Sequence, residues 1–136
     1  MSLEKGIRAI LLADGTVSGL VSTRIFPQRR PTGTALPAIT YQTIYQEITE
    51  ALAAQSGLRR SRMSIECTDD TYADTKTLRN AVTAALVNYS DTISGEIIDS
   101  VRLEAAVDLE EDLEPASGSV GVFRTIVDFI VFHQSS

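Results

Sequence analysis

Near its end the chain reads Val-Gly-Val-Phe-Arg-Thr-Ile-Val-Asp-Phe-Ile-Val-Phe-His, from Val120 to His133. Strand alternation puts Phe123, Val127, Phe129 and Val131 on one face and Val122, Ile126, Ile130 and Phe132 on the other, with only Arg124 and Asp128 between them. A helix layer in a small sheet covers one face and leaves the other wet, so the second apolar strip points to docking on a copy or a partner. A parallel strand buried on both faces produces the same pattern.

The remaining pattern alternates between the helical and the extended period. Leu3, Ile7, Ile10 and Leu11 recur at helical spacing after a Ser2 cap, and Asp14-Gly15 ends that helix. A short apolar turn from Val17 to Val21 leads to Ile25, and Pro27, Pro31, Gly33 and Pro37 break the next stretch into a loop. Ala38 to Glu50 is β-branched and aromatic, a strand of roughly 43 Å. Past a turn at Gly57, Met63, Ile65 and Cys67 alternate with Arg62, Ser64, Glu66 and Thr68, so a second strand pairs with it as a long hairpin. Asp70 to Tyr89 carries a stripe of Leu78, Val82, Ala85, Leu86 and Tyr89, a helix of only about 30 Å. The hairpin is therefore expected to overhang its helix as an arm; a disordered Ala51–Ser56 loop with shorter strands is the alternative. Ile97, Val101, Leu103, Ala105, Val107 and Leu109 form the expected buried stripe of a third strand, and Glu110 to Gly121 a mobile connection to the fourth. The expected fold class is α+β, one domain over residues 1–136: a mainly antiparallel four-stranded sheet in the order helix, strand, strand, helix, strand, strand, with two helices on one face and room for a short extra strand near Ile25.

Composition narrows the function. The 136 residues suit one domain that buries about two thirds of its unfolded surface. The apolar run Ile10–Ala13 is too short, and its flanks too charged, for a signal peptide or membrane span, so a soluble protein is expected. A net charge of −6 argues against specific nucleic-acid binding. Charge is also segregated: Arg24, Arg29, Arg30, Arg59, Arg60 and Arg62 come early, while Glu104, Asp108, Glu110, Glu111, Asp112 and Glu114 come late. Those runs are either solvated surfaces or halves of a contact between copies.

Catalytic signatures are sparse. His133 is the only histidine and Cys67 the only cysteine, the latter read as a small buried hydrophobe rather than half of a Cys/His dyad. No Cys/His cluster or phosphate loop is present in the sequence, and no cofactor is expected. Glu66, Asp69 and Asp70 could hold Mg²⁺ at a strand end, but Asp70 or Thr71 more naturally caps the next helix.

Five segments, in order, resemble a known family: Thr23-Arg24-Ile25-Phe26-Pro27; Leu36 to Gln42; Arg62 to Cys67; Thr71 to Lys76 opening a helix; and Phe123 to Phe129. Together they are similar to the small tail-completion proteins of tailed phages and prophages, over about Leu3 to His133. Thr68 departs from the aromatic residue common at that position. The resemblance implies a non-enzymatic structural protein of the virion, made in the bacterial cytoplasm, that caps the head-proximal end of the tail tube and joins it to the head connector. It implies three partners: further copies in a ring, of six by analogy with tail terminators, the tail tube protein and a head connector or neck protein. Arg59, Arg60 and Arg62 on the arm, facing Glu110, Glu111 and Asp112 or the wet strip of Ile126, Ile130 and Phe132, are the expected interface, and Glu104 and Asp108 candidates to line a lumen. Another neck or head-closure protein, or a metal-dependent hydrolase using Glu66, Asp69 and Asp70, are the alternatives.

Overall fold

A computed structural model describes residues 3–31, 33, 35–48, 59–87, 89–93, 95–111 and 122–135. Helix α1 (Leu3–Ala13) turns Leu3, Ile7, Ile10 and Leu11 into the core, as their spacing requires. Asp14 does not simply stop it. The carboxylate accepts from the backbone N–H of Thr16 and Val17 at 3.0 Å each, and so caps a second helix, α2 (Gly15–Val21), where the sequence suggested only an apolar turn. Helix α3 (Tyr72–Leu86) is capped by Thr71, whose hydroxyl accepts from the Asp74 N–H at 3.1 Å, and it presents Leu78, Val82 and Leu86 inward.

Among the described residues the sheet has six strands rather than four, and one of its pairs is parallel. The strands are β1 (Ile25–Pro27), β2 (Ala38–Ile48), β3 (Arg59–Asp69), β4 (Asp91–Ile93), β5 (Glu96–Glu111) and β6 (Val122–Ser135), in the order β1-β2-β3-β6-β5-β4. β1 runs parallel to β2, and every other pair is antiparallel. Three-residue strands such as β1 and β4 are too short to show an alternation, which is why four strands were expected. Gly95, at φ 81°, makes the tight turn from β4 to β5. The α+β class stands, with three helices among the described residues instead of two. α1 packs against β2 and β4 and α3 against β3, β5 and β6, while α2 packs against the other two helices.

β6 lies centrally between β3 and β5 and is antiparallel to both, so its two apolar faces do not mark a buried parallel strand. Val127, Phe129, Val131 and His133 face the helices and are buried, whereas Arg124, Ile126, Asp128 and Phe132 on the bare face are half-buried. Ile130, expected as contact surface, is only 1% exposed. It lies between Arg62 and Arg102 in register, two residues long enough to shield it from solvent.

The expected odd-numbered stripe on β5 fails for a definite reason. Bulges at Ile98/Ser100 and Leu103/Ala105 each insert a residue and switch the parity of the strand. Ile98, Val101 and Leu103 consequently share the helix face, while Val107 pairs with Ile126 on the bare face. Leu103 and Val107 remain 48% and 51% exposed. The strand also runs to Glu111, where a loose connection was expected; 112–121 lie outside the described residues.

The expected hairpin forms. β2 and β3 pair from Ala38↔Thr68 to Ile48↔Arg59, and the proposed turn at Gly57 lies outside the described residues. Helix cover reaches Thr43, whose hydroxyl donates to Glu4 of α1 at 2.5 Å; beyond it Ile44, Tyr45, Gln46 and Glu47 are all exposed. The overhang is confined to β2, because β3 stays paired with β6 as far as Arg59↔His133 and Ser61 is buried.

Candidate docking surfaces

The β2–β3 hairpin carries the basic end. Arg60 donates to the Tyr45 hydroxyl at 2.9 Å and contacts Glu47 at 3.4 Å, with its guanidinium 6.0 Å from the Tyr45 ring centre. The Tyr45 hydrogen bond, ahead of the nearby Glu47 charge, raises the Arg60 pKa above its already high ordinary value. Arg59 sits at the hairpin's described limit, paired in register with Ile48 and His133.

Beneath that end lies a group that the sequence reading missed. Ser61 Oγ is 2.7 Å from His133 Nε2, and His133 Nδ1 is 2.5 Å from Glu96 Oε2, with all three residues no more than 2% exposed. Gln46 Nε2 also donates to Ser61 Oγ at 3.1 Å, so the serine hydroxyl joins the amide to the ring. The order of groups is that of a serine hydrolase triad. With Ser61 at 0% exposure, however, no substrate carbonyl can reach Oγ in this conformation. What the network does is tie β3, β5 and β6 together at this end of the sheet. One signal was present in the sequence: Ser61 and His133 both occupy core-parity positions in otherwise apolar stripes.

On the bare sheet face, cations meet anions across strands. Arg62 donates to Asp128 Oδ2 through Nε at 3.0 Å and Nη2 at 2.6 Å, and this bond, ahead of the Asp128 and Glu104 charges, raises its pKa. Arg124 Nη1 binds Glu66 at 3.0 Å. Arg102 lies over the Phe132 ring at 5.5 Å. Arg62, expected on the arm, shares this face with Ile126 and Phe132, which are threaded through ion pairs rather than set out as an apolar strip. At the β1 side of this face, Gln28, Arg29, Arg30, Thr40, Glu66, Thr68 and Arg124 line a cleft of about 210 Å³.

The acidic end is the opposite one. Glu110 and Glu111 pair in register with Phe123 and Val122, whereas Arg59 pairs with His133 ten residues further along β6, about 33 Å away. Asp112 lies outside the described residues. Asp108 gathers Lys76 at 2.5 Å, Tyr72 at 3.2 Å and Thr125 at 3.1 Å, and the Lys76 hydrogen bond holds its pKa below the ordinary 3.8. Those partners place Asp108 on the helix face, while Glu104, a bulge residue, feels Arg62 on the bare face.

The carboxylates considered for a metal do not converge. Glu66 is bound to Arg124 on the bare face, Asp69 accepts the Asp70 N–H at 2.7 Å on the helix face, and Asp70 is exposed. Burial raises the Asp69 pKa. Among the described residues no group of three His, Cys, Asp or Glu side chains is arranged to hold a metal ion. Cys67 is fully buried and pairs with Thr125, eight residues before His133 along β6, so the two form no dyad. Burial pushes its thiol up to about 12. No helix among the described residues is long and apolar enough to cross a membrane.

A family model described as "Tail completion protein gp17" matches residues 5–133. A chain from a solved structure titled "Virion of native gene transfer agent (GTA) particle" shares the fold at a TM-score of 0.73 and 18% identity, with 98% of this chain and 96% of that chain covered. No curated protein sequence matches.

Proposed function

The chain belongs to the tail completion protein gp17 family, and from that premise we propose that it caps the head-proximal end of a phage tail tube and joins it to the head connector, assembling as a ring. Family membership makes it a structural protein of a virion tail; the position in the tail and the ring are the further step. The observation that carries that step is the placement of unlike charge at opposite ends of one sheet, with Arg59 and Arg60 at the β2–β3 end and Glu110 and Glu111 at the β5–β6 end. A cyclic ring needs two different patches on each subunit, one meeting the other on the next copy. The tail tube protein and a connector protein would take the two rims, and no nucleic-acid contact is required of a chain with net charge −6.

Depleting the protein during assembly tests the position: overlong or headless tails are expected, and full-length tails beside leaking heads would instead make it a head-closure protein. Reversing Arg59 and Arg60 to Glu tests the contact, with loss of rings expected by light scattering and negative-stain imaging. Unchanged rings would remove the arm from the interface.

A further inference from the structure

Among the described residues, the two outer long strands, β2 and β5, are paired along only part of their outer sides. β4 covers β5 only from Glu96 to Ile98, so among the described residues no strand lies against Asp99–Glu111, about 40 Å of edge. On the other side β1 covers only Ile39–Tyr41 of β2, leaving Gln42–Ile48 open. Apolar side chains are exposed along both stretches: Leu103 and Val107 on β5, and Ile44 and Tyr45, at 49% and 37%, on β2. Long open edges bearing exposed apolar side chains template pairing with another chain.

We infer that these edges pair with each other between copies, β5 of one chain against β2 of the next, so that the sheet continues from subunit to subunit around the ring. This rests on the ring reading above and specifies its contact. Strand direction supports it. The four long strands run β2, β3, β6, β5 with alternating sense, so β2 and β5 of one copy are antiparallel. Rotation about an axis roughly along the strands preserves sense, so β5 meets the next copy's β2 antiparallel at every junction. An odd number of long strands would have forced parallel junctions. The edges are also on opposite sides of the sheet, as a heterologous, ring-closing contact requires. Charge adds to this. The open part of β5 carries Asp99, Glu104, Asp108, Glu110 and Glu111 against a single Arg102, Asp108 being held by Lys76. Just beyond β1, on the β2 side, stand Arg29 and Arg30, whose side chains make no hydrogen bond or ion pair among the described residues.

Cysteine cross-linking in assembled protein tests the pairing. Within one copy β2 and β5 are three strand spacings apart, about 14 Å, beyond the reach of a disulfide. Tyr45→Cys is combined in turn with Arg102→Cys, Glu104→Cys and Val107→Cys, with each single variant as control. Mild oxidation should give a ladder from dimer upward for at least one double variant and no ladder beyond dimer for the singles. Rings that give no ladder with any of the three would overturn the pairing while leaving the ring intact. The exposed pair Leu103→Lys with Val107→Lys, checked for folding by circular dichroism, should raise the concentration needed for rings at least tenfold; unchanged assembly overturns the pairing as well. A chain that stays single at every concentration, even beside tail tubes, would remove both the ring and this contact.

Discussion

Replacing His133 by Ala should be among the most damaging single changes to the fold. The imidazole is the only side-chain partner described for Glu96, which is 2% exposed. Removing the imidazole leaves the buried Glu96 carboxyl without its hydrogen-bond partner, at about 1–3 kcal/mol, and the vacated ring adds a cavity cost on the order of 1–2 kcal/mol. Ser61 loses less, since Gln46 still donates to it. Against a usual total of about 5–15 kcal/mol, a loss near 4 kcal/mol leaves a folded but weakened protein. Urea unfolding followed by circular dichroism should show the midpoint falling by about 2 M for a slope near 2 kcal/mol/M. Glu96→Gln, which keeps a hydrogen-bonding partner beside Nδ1, should cost only about 1 kcal/mol. The double variant His133→Leu with Glu96→Met should lose much less than the two single losses added together, because no stranded polar group remains. A His133→Ala protein within 1 kcal/mol of the native chain, or a double variant as weak as the sum, would refute the buried network as a structural lock.

Other expectations follow from single sites. Phe129→Ala, at a 1% exposed position between Met63 and Leu103 in register, should cost about 3–5 kcal/mol in the same unfolding assay. Asp108 has a folded-state pKa below 3.8, so its stabilisation is present above that value and lost as pH falls through the depressed one. The stability gap between the native chain and Asp108→Asn should therefore be widest near pH 7 and close in strong acid; a constant gap from pH 7 to pH 2 would contradict the Lys76 pairing. Cys67, buried and with its thiol at about 12, should resist a thiol reagent at pH 8 until urea unfolds the chain. Stoichiometric labelling of native protein would show that β3 opens.

Much of this architecture is legible from local pattern. Leu3, Ile7, Ile10 and Leu11 specify α1, Thr71 specifies the start of α3, and the alternation around Met63, Ile65 and Cys67 specifies the facing of β3. What is not legible depends on partners far along the chain. The parity of β5 is reset by two bulges that exist only in its pairing with β6, so Val107 reads as core and lies on the surface. Ile130 reads as exposed and is buried between arginines 68 and 28 residues away in sequence, Arg62 and Arg102. Ser61, Glu96 and His133 come together from three strands, across separations of 72 and 37 residues. Of the expected interface, Arg59, Arg60, Glu110 and Glu111 reach opposite ends of the sheet, whereas Arg62 is engaged with Asp128 inside its own subunit.

That last contrast separates the two kinds of surface this sheet presents. The bare face keeps its cations and anions matched across strands, Arg62 with Asp128 and Arg124 with Glu66, all partly exposed. Such partly exposed pairs contribute little to stability, so folding alone gives them little reason to be there. Their stronger effect is on association. A second protein laid on that face would have to desolvate several charges whose partners are already taken, a cost that matched pairs do not recover from a newcomer. The edges carry no such cost: a strand added to β5 or β2 joins backbone donors and acceptors that are solvated now and bonded afterward, and it covers Leu103, Val107, Ile44 and Tyr45. A sheet costly to dock on its face and open along parts of both edges among the described residues suits the edge pairing inferred above, in which growth in one direction that also rotates closes a ring.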